Sequence, residues 1–106
     1  KVEKVAKTLA TRYADKNIKI DALAREAGLC RSLFSRLFTR LTGETPRRHI
    51  LTLRLEEAKR LLAGTDRPVA DIARAVGFLG TSRLFELFKE RTGLAPLDYR
   101  EATQGR

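Results

Sequence analysis

The feature that most constrains this chain is that it repeats itself. Leu23-Ala24 matches Ile72-Ala73, and Ala27-Gly28-Leu29 matches Val76-Gly77-Phe78, at an offset of 49. Past the glycine the offset becomes 50. Phe34 then matches Leu84, Leu37-Phe38 matches Leu87-Phe88, Thr42-Gly43 matches Thr92-Gly93, and Pro46 matches Pro96. Register kept on both sides of a one-residue insertion is hard to obtain by chance. One structural unit is built twice, and its second copy has a turn one residue longer.

The periodicity within each copy is helical, and no stretch alternates as a strand does. Val2, Val5, Ala6, Leu9, Ala10 and Tyr13 predict a first amphipathic helix of about fourteen residues. After a polar break, Ile20, Leu23, Ala24 and Ala27 give the inner face of a helix over 20–27, with Asp21 placed to complement its dipole. Gly28 ends it, because glycine tolerates the left-handed conformation needed just past a helix end. A helix over 31–41 follows, with Leu33, Phe34, Leu37, Phe38 and Leu41 inward. Thr45 caps the next helix and Pro46 suits its first position. That helix runs over 46–63. The second copy supplies helices over 69–76 and 81–91, the latter with Leu84, Leu87 and Phe88 inward. A short last helix is expected from Pro96 through Tyr99, with fraying from Thr103. The fold class is therefore all-α: a seven-helix bundle with two helix-turn-helix units joined by a long linker helix. Residues 1–106 read as one bipartite domain, made of a first unit (1–45), a linker helix (46–63) and a second unit (64–106).

The two copies differ in charge. The chain of 106 residues carries a formal charge of +9. Residues 1–50 hold twelve basic and five acidic residues (+7), and residues 51–106 hold ten and eight (+2). A basic balance favours a polyanionic partner. The helix over 31–41 sharpens this: Arg31, Ser32, Ser35, Arg36, Thr39 and Arg40 are left outward, and that face has no acid. An ordinary solvated helix face mixes both signs. Arginine clamps guanine in the major groove, and serine bonds a base edge or a phosphate. The spacing within each unit is that of the DNA-binding helix-turn-helix. Ala24 is small where the two helices must cross, and Gly28 takes the turn.

The second copy, Ile72-Ala-x-x-Val-Gly-Phe-x-x-x-Ser-x-Leu-Phe-x-x-Phe-Lys-x-x-x-Gly-x-x-Pro-x-x-Tyr-Arg100, resembles the DNA-binding domain of the AraC/XylS family of bacterial transcription regulators. The likeness spans nearly the whole chain, from Val2 to Arg100. It implies two recognition helices that enter successive major grooves of double-stranded DNA. An 18-residue connecting helix is about 27 Å long, compatible with recognition helices separated by one DNA turn of roughly 34 Å. Carried over by position, the DNA contacts fall on Arg31, Ser32, Ser35 and Arg36 in the first copy, to which the outward face adds Arg40. In the second they fall on Thr81, Ser82, Arg83, Phe85 and Glu86. The second copy departs from the family pattern. Leu84 stands at the usual inward phenylalanine, Phe85 follows it at the position equivalent to Ser35, and Glu86 stands where a basic residue is common. Either Phe85 meets thymine methyls and Glu86 accepts from cytosine, or Phe85 packs inside and Glu86 joins a local salt bridge.

Arg47, Arg48, Arg54 and Lys89 are phosphate contacts or plain surface charges, and Arg100 closes the last helix against the body. Cys30 stands where a serine cap is usual, and a small residue substituting for the cap is the reading preferred to a redox sensor. The single cysteine cannot form an intrachain disulfide, which fits a reducing compartment. One histidine, His49, and one cysteine leave no metal cluster. Glu56-Glu57 and Asp71 have nearby bases and read as solvated pairs, not a catalytic dyad. No enzyme activity, cofactor or membrane segment is expected. The chain contains no methionine and begins at Lys1, so a longer protein is expected, with an effector-binding or dimerisation domain outside these residues. The resemblance implies transcription regulation, more often activation, in the cytoplasm at the nucleoid, with RNA polymerase a further partner. The competing reading is a helical protein-interaction module whose basic face meets an acidic partner.

Overall fold

The computed structural model describes residues 1–105. Its elements are seven helices: α1 (Val2–Arg12), α2 (Ile20–Glu26), α3 (Arg31–Thr42), α4 (Pro46–Gly64), α5 (Val69–Val76), α6 (Thr81–Thr92) and α7 (Pro96–Thr103). No strand occurs among the described residues. Packing gathers them into two compact units, Lys1–Leu53 and Arg54–Arg106. The boundary between them falls within α4, which contributes Ile50 to the first core and Leu55, Ala58, Leu61 and Leu62 to the second.

In the first unit, Val5 and Leu9 of α1 meet Leu23, Ala24 and Ala27, Phe34 and Phe38 of α3, and Ile50 of α4. Each buried apolar side chain of this size contributes roughly 1.5–3 kcal/mol. The Phe34 and Phe38 rings lie 5.6 Å apart, and Phe38 meets the His49 ring edge-on at 5.3 Å. Two positions expected inside are not: Ala10 is exposed and Leu41 is 48% exposed. The apolar stripe of α3 is buried only as far as the core reaches, and the cluster ends at Phe38. In the second unit the buried residues are Leu55, Ala58, Leu61 and Leu62 of α4, Ile72, Ala73 and Val76 of α5, Phe78, and Leu84, Leu87 and Phe88 of α6. Phe88 takes Tyr99 of α7 edge-on at 5.1 Å.

The two copies share their hydrogen bonds as well as their sequence pattern. After α2, the Gly28 N–H donates to Arg25 O (2.9 Å) and the Leu29 N–H to Ala24 O (3.0 Å). After α5, Gly77 and Phe78 repeat this on Arg74 O (3.2 Å) and Ala73 O (2.9 Å). Both glycines have positive φ, +72° and +113°, where a side chain would be strained. The ends of α3 and α6 are also alike. The Thr42 hydroxyl donates to Phe38 O and accepts from the Glu44 N–H. The Thr92 hydroxyl donates to Phe88 O and accepts from the Leu94 N–H. Thr45 caps α4 as expected, its hydroxyl accepting from the Arg48 N–H at 3.3 Å.

The last helix outruns its expected length. It continues to Thr103, whose hydroxyl donates to Tyr99 O at 2.9 Å. The fraying expected from Thr103 is replaced by anchoring: the Gln104 amide donates to Leu62 O and Thr65 O, both at 3.2 Å. Arg100 donates to Leu62 O (3.1 Å) and Arg67 O (2.6 Å), closing α7 against the end of α4. These side chains satisfy Leu62 O, which the helix end leaves without an intrahelical partner, and two carbonyls of the connection that follows α4.

Candidate nucleic-acid interface

The core fixes which face of α3 is left over. With Phe34 and Phe38 fully buried, Arg31, Ser32, Arg36 and Arg40 are exposed and Ser35 is half-buried at the margin. Thr39 is half-buried and bonds back to its own helix, its hydroxyl donating to Ser35 O at 2.8 Å. Arg36 and Arg40 have no acidic partner among the described residues. Arg31 has one: its Nη1 donates to Asp21 Oδ1 of α2 at 3.2 Å. The face of α3 thus has no acid of its own, yet a carboxylate reaches its first residue from the neighbouring helix. Sequence spacing gives no hint of this pair, because it depends on how α2 and α3 cross.

Other charges of the first unit are settled away from α3. Arg12 and Glu26 form a two-point pair at 2.8 and 3.0 Å between α1 and α2. The hydrogen bond from Arg12 holds the Glu26 carboxyl below its ordinary value, and the same bond raises Arg12. Glu44 accepts from the Thr52 hydroxyl at 2.8 Å and lies 3.8 Å from Arg48 Nε and 3.6 Å from His49 Nδ1. Arg47 is exposed beside it. Of the candidate phosphate contacts on α4, Arg48 is therefore shared with a carboxylate. Arg54 lies over the Phe78 ring at 5.7 Å, so part of its role is to cover that ring.

On α6, Leu84, Leu87 and Phe88 face the core, and Thr81, Ser82, Arg83, Phe85, Glu86 and Lys89 are exposed. Phe85 does not pack inside; it is 47% exposed. Leu84 and Phe85 are adjacent, about 100° apart around the helix, so the core takes one, and it takes Leu84. Glu86 does enter a local pair, with Arg83 Nη1 at 3.9 Å, both side chains largely in solvent. Of the packed alternative the structure keeps the Glu86 pair and not the buried Phe85. Thr81, Ser82, Phe85 and Glu86 line one open groove of about 530 Å³ together with Val69 and the start of α7 at Ala95, Pro96 and Leu97. The α7 wall of that groove has no signal in the sequence. The face of α6 carries both signs of charge, unlike that of α3.

Cys30 occupies the N-cap of α3 without a side-chain capping bond and is exposed. Among the described residues there is no metal-binding cluster, and no helix is long and apolar enough to cross a membrane.

Residues 23–102 match the family model of a helix-turn-helix domain. The probable transcriptional regulator LumQ of Photobacterium leiognathi is 32% identical over 103 residues, covering 93% of this chain and 42% of that protein. The HTH-type transcriptional activator RhaS of an Escherichia coli O139:H28 strain is 32% identical over 97 residues, 92% of this chain and 34% of that protein. The chain therefore spans well under half the length of these two relatives. Among solved structures, the DNA-binding domain of the global transcriptional factor AdpA, in complex with a target DNA, superposes with a TM-score of 0.92. It is 30% identical, over 99% of this chain and 94% of that one.

Proposed function

Because this chain belongs to the AraC/XylS family, as a helix-turn-helix DNA-binding domain, we propose that it reads a specific duplex site through α3 and α6 and activates transcription from it. The observation that carries the proposal is the exposed face of α3. Arg36 and Arg40 stand there without a carboxylate, on a helix fixed by its buried phenylalanines, in a unit of charge +7. Arginine at such positions bonds guanine O6 and N7 in the major groove, and serine bonds base edges or phosphates. Arg31, Ser32, Ser35, Arg36 and Arg40 are the contacts proposed for α3. Thr81, Ser82, Arg83, Phe85 and Glu86 are those proposed for α6, each helix in its own major groove. Arg47, Arg48 and Lys89 are proposed to hold phosphates. Activation is proposed because RhaS is named an activator. RNA polymerase as a partner, an effector-binding or dimerisation domain in the same protein, and action at the nucleoid extend the same proposal. The other reading, a module for an acidic protein partner, is not favoured by relatives that are transcription regulators.

The test is selection of bound duplexes from a random pool, followed by footprinting on the selected site. Two protected major-groove patches and a steep fall of affinity with salt are expected. No duplex binding at low salt would overturn the reading, and a single patch would remove α6 from it.

A further inference from the structure

The exposed face of α6 poses a chemical question that its counterpart does not. Phe85 stands at the position equivalent to Ser35, one repeat later, and is 47% exposed. A large apolar side chain turned to water costs hydration free energy and finds no return within its own unit. Its neighbours around the groove are mixed. Thr81, Ser82 and Glu86 supply polar atoms, while Pro96 and Leu97 supply an apolar wall, and Leu97 is itself 62% exposed. One cation on this face is partly offset: Arg83 lies 3.9 Å from Glu86. Arg83 is therefore a weakened source of attraction to phosphates, and Lys89, proposed above to hold one, carries no base information. The one base-edge group in the major groove that rewards an apolar side chain is the C5-methyl of thymine.

We infer that Phe85 is a specificity-determining residue that selects thymine through its methyl group. The two units then read by different chemistry: α3 by charged donors on guanine, α6 by apolar contact at a thymine. The inference rests on the proposed reading of duplex DNA by both helices. It adds to that reading the identity of one base and of the group recognised.

The experiment uses the 106-residue chain and its selected duplex. Each thymine across the protected region is replaced singly by deoxyuridine, which keeps the pairing edge and lacks only the methyl. One position is expected to weaken binding about fourfold, the worth of one buried methyl group. With Phe85→Ala, whose fold is checked by circular dichroism, the thymine duplex binds more weakly and that deoxyuridine effect disappears. With Phe85→Leu most of the effect is retained. The inference is overturned if no thymine methyl matters, or if the effect persists unchanged in Phe85→Ala. Unchanged DNA affinity of Phe85→Ala would also overturn it. Absence of any duplex binding would overturn the parent reading, and this one with it.

Discussion

Asp21→Asn is expected to make this domain bind DNA more tightly whatever the sequence. The carboxylate lies 3.2 Å from Arg31 Nη1, with both side chains about 60% exposed. An exposed pair of this kind is worth about 0.2–1 kcal/mol. Asp21 also sits in the first turn of α2, where its charge adds roughly 0.3–1 kcal/mol. The fold therefore loses at most about 2 kcal/mol, the sum of those upper bounds, and asparagine preserves the shape. On DNA the balance reverses. A duplex that recruits Arg31 must first displace it from Asp21. Removing that carboxylate returns up to about 1 kcal/mol, or roughly a fivefold gain in affinity. The gain applies to any sequence, so affinities for specific and random duplex rise together and their ratio is unchanged. If the released Arg31 takes a phosphate, the slope of log K against log salt steepens by about 0.9. The assay is fluorescence anisotropy of labelled specific and random duplexes between 50 and 200 mM salt. The control is a double-mutant cycle in which Asp21→Asn has no effect once Arg31→Ala is present. A random-duplex affinity that stays the same or drops, or a gain that survives in the Arg31→Ala background, would refute the reasoning.

Further outcomes follow from the same geometry. Arg36→Ala should cost about 1–3 kcal/mol of specific binding and relax the preference at a single base pair, as read by repeating the duplex selection with the variant. Arg100→Ala removes the donors to Leu62 O and Arg67 O; hydrogen bonds from charged groups are worth about 1.5–3 kcal/mol. With partial exposure, a loss of about 2 kcal/mol in urea unfolding is expected, and Arg100→Lys should not restore it, for want of a planar two-donor head. The carboxyls of Glu26 and Glu57 are held below their ordinary values, chiefly by hydrogen bonds from Arg12 and Arg60. Their folded values being depressed, their contribution is complete at neutral pH. It declines once the pH falls into the ordinary glutamate range near ~4.3 and is gone below the depressed values. Urea titrations from pH 7 to 3 should show Glu26→Gln with a shallower acid loss than the parent.

What could be read in the sequence is what depends on neighbours along the chain. Apolar spacing, positive-φ glycines at 28 and 77, the Thr-Gly pairs and the prolines at 46 and 96 locate all seven helices, because each of these signals acts within a few residues. The structure departs from the reading where the deciding neighbour is distant. Leu41 follows the helical stripe of α3 yet lies beyond the reach of the core. The end of α7 is longer than its apolar pattern because Gln104 is held by carbonyls about forty residues earlier. The Asp21–Arg31 pair needs the crossing of two helices to exist. Phe85 was undecidable for a different reason: with Leu84 beside it, periodicity alone allows either to be the inward residue, and only the volume of the packed core chooses.

The bonds that close the C-terminal ends of α3 and α6 have a consequence for how such a molecule changes. They run between main-chain atoms and the hydroxyls of Thr42 and Thr92. None of them involves residues 32, 35 and 36, or 82, 85 and 86. Substitutions at exposed positions of this kind usually shift stability by no more than about 0.5 kcal/mol. On the proposed reading, the vocabulary of the domain is thereby free of its grammar: one or two changes on an outward face would alter the site that is read, while the same chain goes on folding. Regulators built this way can drift from one promoter to another by single substitutions, with no unstable intermediate to cross.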